Sequence, residues 1–261
     1  MINETGEVNT SEADEDVWAE MQEYAEAVDE VQSAFADLLE LHKILLSDSV
    51  ALGQMLKIHG GSLSLRRLIV KNEMAYCEGI LWVMKQMALR SRAEFVPPLT
   101  DAEKALLEDK QYRLHDTGEV RDEKAKITLK QNVRFAEKIL ARMKGCAEFS
   151  IDFNSDGSRA FFKAVEVRDR LTHPKRPEEM EVTTEEMIAV LEGTQWFNNN
   201  FIAFETIRKK ATKEDLNATT TAKIVDYRKR GATEEQIATF IQRVHSSYEP
   251  PSTGGDGLPT T

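Results

Sequence analysis

Apolar positions along this chain recur at steps of three and four almost throughout, the period of helices that bury one face. From Asp14 they fall at Val17, Met21, Tyr24, Val28, Val31, Phe35, Leu38 and Leu45, which predicts an amphipathic helix over 14–47. His59, Gly60 and Gly61 break the pattern, and Ser62 or Ser64 can cap a second helix. That helix, about 65–90, is apolar over most of its surface (Leu65, Leu68, Ile69, Tyr76, Cys77, Ile80, Leu81, Met84, Met87). A helix buried on nearly all sides belongs at the centre of a bundle. Asn72, Glu73 and Glu78 interrupt its stripe, and polar groups so placed need partners.

Thr100 and Glu103 form a capping box that opens a short helix. Over 112–128 the period changes, and Asp116, Thr117 and Gly118 mark a turn, so a small hairpin or irregular excursion is expected there. A helix over 128–144 is stopped by Gly145. After a loop, another helix runs from about Ser158 to Thr172, held by Phe161, Phe162, Val165 and Leu171, and Pro174 makes it finish at His173. Thr183 and Glu186 cap a helix that reaches about Lys210, with a polar linker over 211–218. Two short helices about Gly231, over 218–248, read as a packing or partner-binding appendage; they are similar to the first two helices of a helix-turn-helix, but no third comes after them. Residues 1–13 and 249–261 are polar and read as disordered. The fold class is therefore all-α, with one hairpin or irregular excursion and a C-terminal helix pair.

Charge changes this picture in one respect. The chain carries a formal net charge of −11, yet residues 1–41 hold 13 acids and no Lys or Arg, which leaves 32 of the 45 acids against all 34 bases. The acidity belongs to the first helix, and the rest of the chain is not barred from meeting a polyanion. The acidic face of that helix is a candidate cover for a basic patch elsewhere. No apolar run approaches the length of a membrane span, and MINETGEVNT does not read as a signal peptide. Cys77 and Cys146 lack metal-ligand spacing and read as buried thiols in a reducing cytoplasm. Phosphate loops, nucleophile elbows, zinc-protease helices and paired Cys-x-x-Cys are all missing, so neither metal nor cofactor is expected.

The clearest basic patch is Arg159 to Arg176, with Arg159, Lys163, Arg168, Arg170, Lys175 and Arg176 against Glu166 and Asp169. These residue types suit metal-free RNA cleavage. The ribose 2′-hydroxyl attacks the adjacent phosphorus, histidine as a residue type titrates near neutrality and can move the proton, and arginine offers fixed charge to the phosphorane. Arg168 and His173 are five apart, about 140° around a helix axis, so they do not share a face. A common site needs the helix to unwind at His173 or a second copy to complete it. Asp169 and His173, four apart, can touch.

The segment RDRLTH, with Arg168, Asp169 and His173, resembles the R-x(4–6)-H signature of the HEPN superfamily. The helix break after the histidine, the following helix with Trp196, and RRLIVKNEMAYCEGILWVM with Arg66 or Arg67 and Glu78 resemble that family too, over about residues 62–210. The resemblance implies a HEPN-like bundle of four or five helices and a homodimer that brings two motifs together. It further implies a metal-independent endoribonuclease, often a toxin or phage-defence effector with an antitoxin or other partner. Arg168 and His173 would be catalytic and Asp169 would orient Arg168; Asn72, Glu78, Arg66 and Arg67 would support them. The alternative within the family is a non-catalytic module that binds RNA, a nucleotide or a protein partner.

Overall fold

The structure is a computed structural model, and it describes residues 11–59, 62–91 and 95–246. The disorder expected of 1–10 and of 249–261, and the side chains of Val31 and Phe35, lie outside what is described. The fold is helical apart from one two-stranded sheet. Helix α1 spans Ser11–His59, so residues 11–13 are helical rather than disordered, and the helix runs on past residue 47. The chain forms two units. One comprises residues 38–212; the other joins the start of α1, up to Asp37, to the chain from Lys213 onward.

The first unit is built on α2 (Leu63–Arg90), which Ser62 starts by accepting from the Leu65 N–H at 3.3 Å. Val70, Cys77, Ile80, Val83, Met87 and Ala88 are wholly inaccessible, which makes α2 the central helix. Helix α3 (Asp101–Leu107) carries the Thr100–Glu103 capping box, and Arg142 ion-pairs with Glu103. The excursion is a true hairpin: β1 (Lys110–Leu114) and β2 (Val120–Lys124) pair antiparallel, Tyr112 opposite Asp122 and Leu114 opposite Val120. Its turn closes with the Gly118 N–H donating to the His115 carbonyl at 2.8 Å, with Gly118 at φ 80°.

Helix α4 (Leu129–Leu140) opens with a second capping box, Thr128–Gln131. It ends before the expected residue 144 because Met143 leaves the helix to bridge Phe95, 48 residues upstream in a contact no local pattern encodes. Helix α5 (Asp156–Thr172) starts at Ser155 and buries Phe161, Ala164, Val167 and Leu171 at steps of three and four. A 3₁₀ turn (Pro177–Met180) leads to α6 (Thr184–Lys229), capped by Thr183 and Glu186. The expected linker over 211–218 is instead part of α6. No Gly or Pro interrupts that stretch, and polarity alone does not break a helix. Helix α6 joins α5 through Phe161, which stacks on Phe197 with ring centroids 5.2 Å apart and tilts against Trp196 at 5.5 Å.

In the second unit, Val17, Met21 and Ala25 of α1 pack with Tyr227 of α6 and with Ile237, Phe240 and Val244 of α7 (Glu234–Ser246). Gly231, at φ 102°, makes the corner between α6 and α7, and Thr233 caps α7 with Gln236. Three acids of α1 find bases here. Glu20 ion-pairs with Arg230 at 2.6 Å and Lys223 at 3.6 Å, and Arg243 lies 3.5 Å from Glu26 and 3.7 Å from Asp29. Among the described residues no helix is long and apolar enough to cross a membrane.

Candidate functional site

Arg168 projects from the last turns of α5 toward the middle of α2. Its Nη1 lies 2.8 Å from Glu78 Oε1, and its Nε lies 2.9 Å from Asp169 Oδ1. The second approach is too oblique for a hydrogen bond, so Nε is buried without a hydrogen-bond partner although an opposite charge adjoins it. The arginine side chain is 24% exposed, against 45% for Glu78 and 64% for Asp169, so a half-buried cation is held between two more accessible carboxylates. Such a guanidinium has lost much of its rotational freedom before any ligand arrives.

These three residues are among those that line a cleft of about 520 Å³. Helix α2 contributes Glu78, Leu81, Trp82 and Lys85, at steps of three, one and three. The chain from the end of β2 into the start of α4 contributes Lys124, Ile127, Lys130 and Asn132 among others. The hairpin is fixed at its root. Asp109, at φ 58°, accepts from the Ala125 N–H at 2.7 Å through its carbonyl and ion-pairs through its carboxylate with the buried ammonium of Lys85. A buried lysine with a paired carboxylate satisfies the demand of the low-dielectric interior, and Asp tolerates left-handed backbone better than most residues.

His173 stands where Pro174 forces α5 to stop. Its backbone, at φ −128° and ψ 55°, has left the helix, while its N–H still donates to the Asp169 carbonyl at 3.1 Å. The imidazole is exposed and is not among the cleft-lining residues. The structure thus joins Arg168, Asp169 and Glu78, and it sets His173 just past them on the open end of the same helix.

The other sequence-derived candidates divide. Arg66 donates to the Val182 carbonyl at 3.0 Å and Arg67 to the Met180 carbonyl at 3.3 Å, so both pin the α5–α6 connection to the start of α2 rather than touch Arg168. Arg170 donates from Nη2 to both Glu186 oxygens, at 2.9 and 2.8 Å, which ties α5 to the first turn of α6. Arg159 pairs with Asp156, Lys163 lies 3.4 Å from Glu166, and Arg176 lies 3.6 Å from Glu179. Lys175 uses its backbone N–H to donate to Glu179 at 2.8 Å, and its ammonium makes no ion pair among the described residues. Most of the Arg159–Arg176 patch is therefore internally matched, by exposed pairs that are weak and exchangeable.

Asn72 is half-buried away from the cleft, its side-chain nitrogen without a partner among the described residues. Glu73 belongs to a polar cluster inside the bundle. It accepts from the Ser49 hydroxyl at 2.7 Å, and burial raises its carboxyl above the usual range. Nearby in sequence, the Tyr76 hydroxyl donates to Asn198 at 2.6 Å, and burial likewise pushes the Cys77 thiol up, marking it as inert.

Trp82, Lys85, Lys124, Lys130 and Asn132 escaped the sequence reading. For the two on α2 a signal existed, since Trp82 and Lys85 stand four and seven positions beyond Glu78 and so share its face. No protein-family model matches the chain, and no curated protein or solved structure matches it either.

Proposed function

We propose that the chain is a HEPN-type, metal-independent endoribonuclease that acts in the cytoplasm as a homodimer, in the setting of a toxin or phage-defence effector with an antitoxin or other defence partner. The observation that carries the reading is the placement of Arg168, held at a cleft by Glu78 and Asp169, little more than one turn before an exposed histidine at a broken helix end. In this reaction the 2′-oxygen loses its proton and bonds to the adjacent phosphorus. The bond from phosphorus to the 5′-oxygen breaks, and that oxygen takes up a proton, leaving a 2′,3′-cyclic phosphate and a 5′-hydroxyl. His173 moves the proton and Arg168 stabilises the charge gathering on the phosphorane. Arg168 lies within α5 and His173 at its unwound end, so the pair meets either through that end or across the homodimer, where a second copy brings its own pair to the same site.

A second reading has its own support. Arg168 is already matched by two carboxylates, and most of the surrounding bases are paired, as befits a HEPN-like module that binds RNA, a nucleotide or a protein without cleaving. Incubation of purified protein with RNA and a chelator separates the two. Cleavage by wild type, lost in both His173→Ala and Arg168→Ala, supports the enzyme. Equal inertness of wild type and His173→Ala, with no growth defect on expression, removes it. Light scattering that reports a monomer at micromolar concentration removes the shared site.

A further inference from the structure

The cleft carries a chemistry beyond Arg168. Two of the cations that line the cleft are matched within it, Lys85 by Asp109 and Arg168 by Glu78 and Asp169. Lys124 and Lys130 have no ion pair among the described residues; the Lys130 ammonium sits 4.8 Å over the Phe162 ring. The lining therefore combines two ammonium groups without an ion pair and two carboxylates gathered on a single guanidinium. On the same lining Trp82 stays 42% exposed. A flat aromatic surface, cations without a carboxylate partner and carboxylate acceptors form one constellation, and a volume near 520 Å³ falls within the range of small-molecule sites.

We propose that this cleft binds a nucleoside phosphate, its base stacked on Trp82, its 5′-phosphate held by Lys124 and Lys130, and its ribose hydroxyls directed to the carboxylates of Glu78 and Asp169. The inference rests on the ribonuclease reading for its source of ligand, a single RNA strand, and it assigns the nucleotide that precedes the cut: the two carboxylates proposed to take the ribose lie on Arg168, where the 2′-hydroxyl is required. Only an unpaired base can lie flat on the indole, so a single strand fits and a duplex does not. The hairpin that supplies Lys124 lies outside the HEPN-like pattern, so the phosphate end is a device of this chain. A free nucleotide shares the same chemistry and is separated from RNA by experiment.

Full-length protein is titrated by calorimetry and tryptophan emission with adenosine 5′-monophosphate, with an eight-nucleotide single-stranded RNA, with the corresponding duplex and with inorganic phosphate. The single strand is expected to bind and quench emission. Trp82→Leu, a change at an exposed position, weakens it about tenfold or more and abolishes the quench. Lys124→Gln with Lys130→Gln weakens the strand and the monophosphate, and flattens the salt dependence of strand binding. Binding of the monophosphate alone keeps the site and replaces RNA by a free nucleotide. Equal affinity in wild type and Trp82→Leu, preference for duplex, or no saturable binding of either nucleotide ligand overturns the inference. Strand binding through Trp82 without any cleavage removes the ribonuclease reading and leaves this one. Cleavage whose KM ignores Trp82→Leu does the reverse.

Discussion

Arg168 Nη1 and Glu78 Oε1 stand 2.8 Å apart, linking the last turns of α5 to the midpoint of the central helix. The pair is partly open to water, so its contribution to stability is modest, about 0.5–1 kcal/mol. Its larger effect is to fix where the guanidinium points. Glu78→Gln is expected to lower the unfolding free energy, read from urea denaturation, by an amount of that order. On the ribonuclease reading it lowers kcat more than stability, since an arginine free to wander no longer meets the phosphorane. A loss of activity no larger than the loss of folded protein, measured in the same sample, would remove the positioning role.

Gly193 explains how closely α6 can approach α5. A Cβ built there would fall 2.5 Å from Phe161 Cα and 2.6 Å from its backbone nitrogen, contacts that no rotamer change relieves. Helix propensity favours alanine over glycine by about 1 kcal/mol, so an isolated helix would gain from Gly193→Ala. Here the clash decides. The substitution is expected to cost about 2 kcal/mol or more in denaturant unfolding and to shift the helix that carries Arg168. A neutral or raised midpoint would show that the two helices do not touch at this residue.

How much of the fold could be read from sequence depends on the range of each interaction. The capping boxes at Thr100, Thr183 and Thr233, the turn at Gly118 and the helix end at His173 depend on residues within four positions of one another, and they are visible as strings. The early end of α4 depends on Phe95, which no local pattern names. The continuity of α6 through 211–218 is open to a local reading, since that stretch holds neither Gly nor Pro, and Leu216 adds a contact with the core around Tyr227. Arg66 and Arg67 stand near the start of α2, and the carbonyls they hold are over a hundred residues away, which no string of neighbours could name. The site obeys the same rule. Arg168, Asp169 and His173 are one motif, whereas the cleft needs α2, the hairpin and α4 brought together, and polar residues on an apolar helix look like blemishes until that wall exists.

Glu73 gives the bundle a pH dependence of definite sign. Its carboxyl is raised by burial, so the folded state binds its proton more tightly than the unfolded chain does. The contribution is fully present below the unfolded carboxyl range, and it is lost as pH rises through the higher folded value. Glu73→Gln keeps an acceptor for Ser49 and removes the ionisation. Thermal melts across acidic to neutral pH should show wild type losing stability relative to the variant as pH rises, and the two converging at low pH. Parallel curves would mean the carboxyl is not buried as described.

Phe240 tests whether the acidic helix and the C-terminal pair are one folding unit. Its ring, 2% exposed, meets Tyr227 edge-on at 5.6 Å and Tyr24 at 5.9 Å, so it joins α7 to both α6 and α1. Removing it leaves a cavity among the residues that also hold Met21 and Ile237, at a cost of about 3–5 kcal/mol. Charge works the same way across this interface: the Arg230 guanidinium holds the Glu20 carboxyl below the usual carboxylate range, so that pair stabilises the unit above the unfolded carboxyl range and ceases to do so as the glutamate is protonated. Hydrogen exchange on Phe240→Ala should therefore show amides of 16–29 and of 223–246 accelerating together, by a similar factor. Lower pH should accelerate both segments further, in wild type as well as in the variant, once intrinsic exchange rates are corrected for pH. Acceleration confined to 234–246 would mean that α1 holds its structure without the pair, and that its acidic face is not matched by Lys223, Arg230 and Arg243.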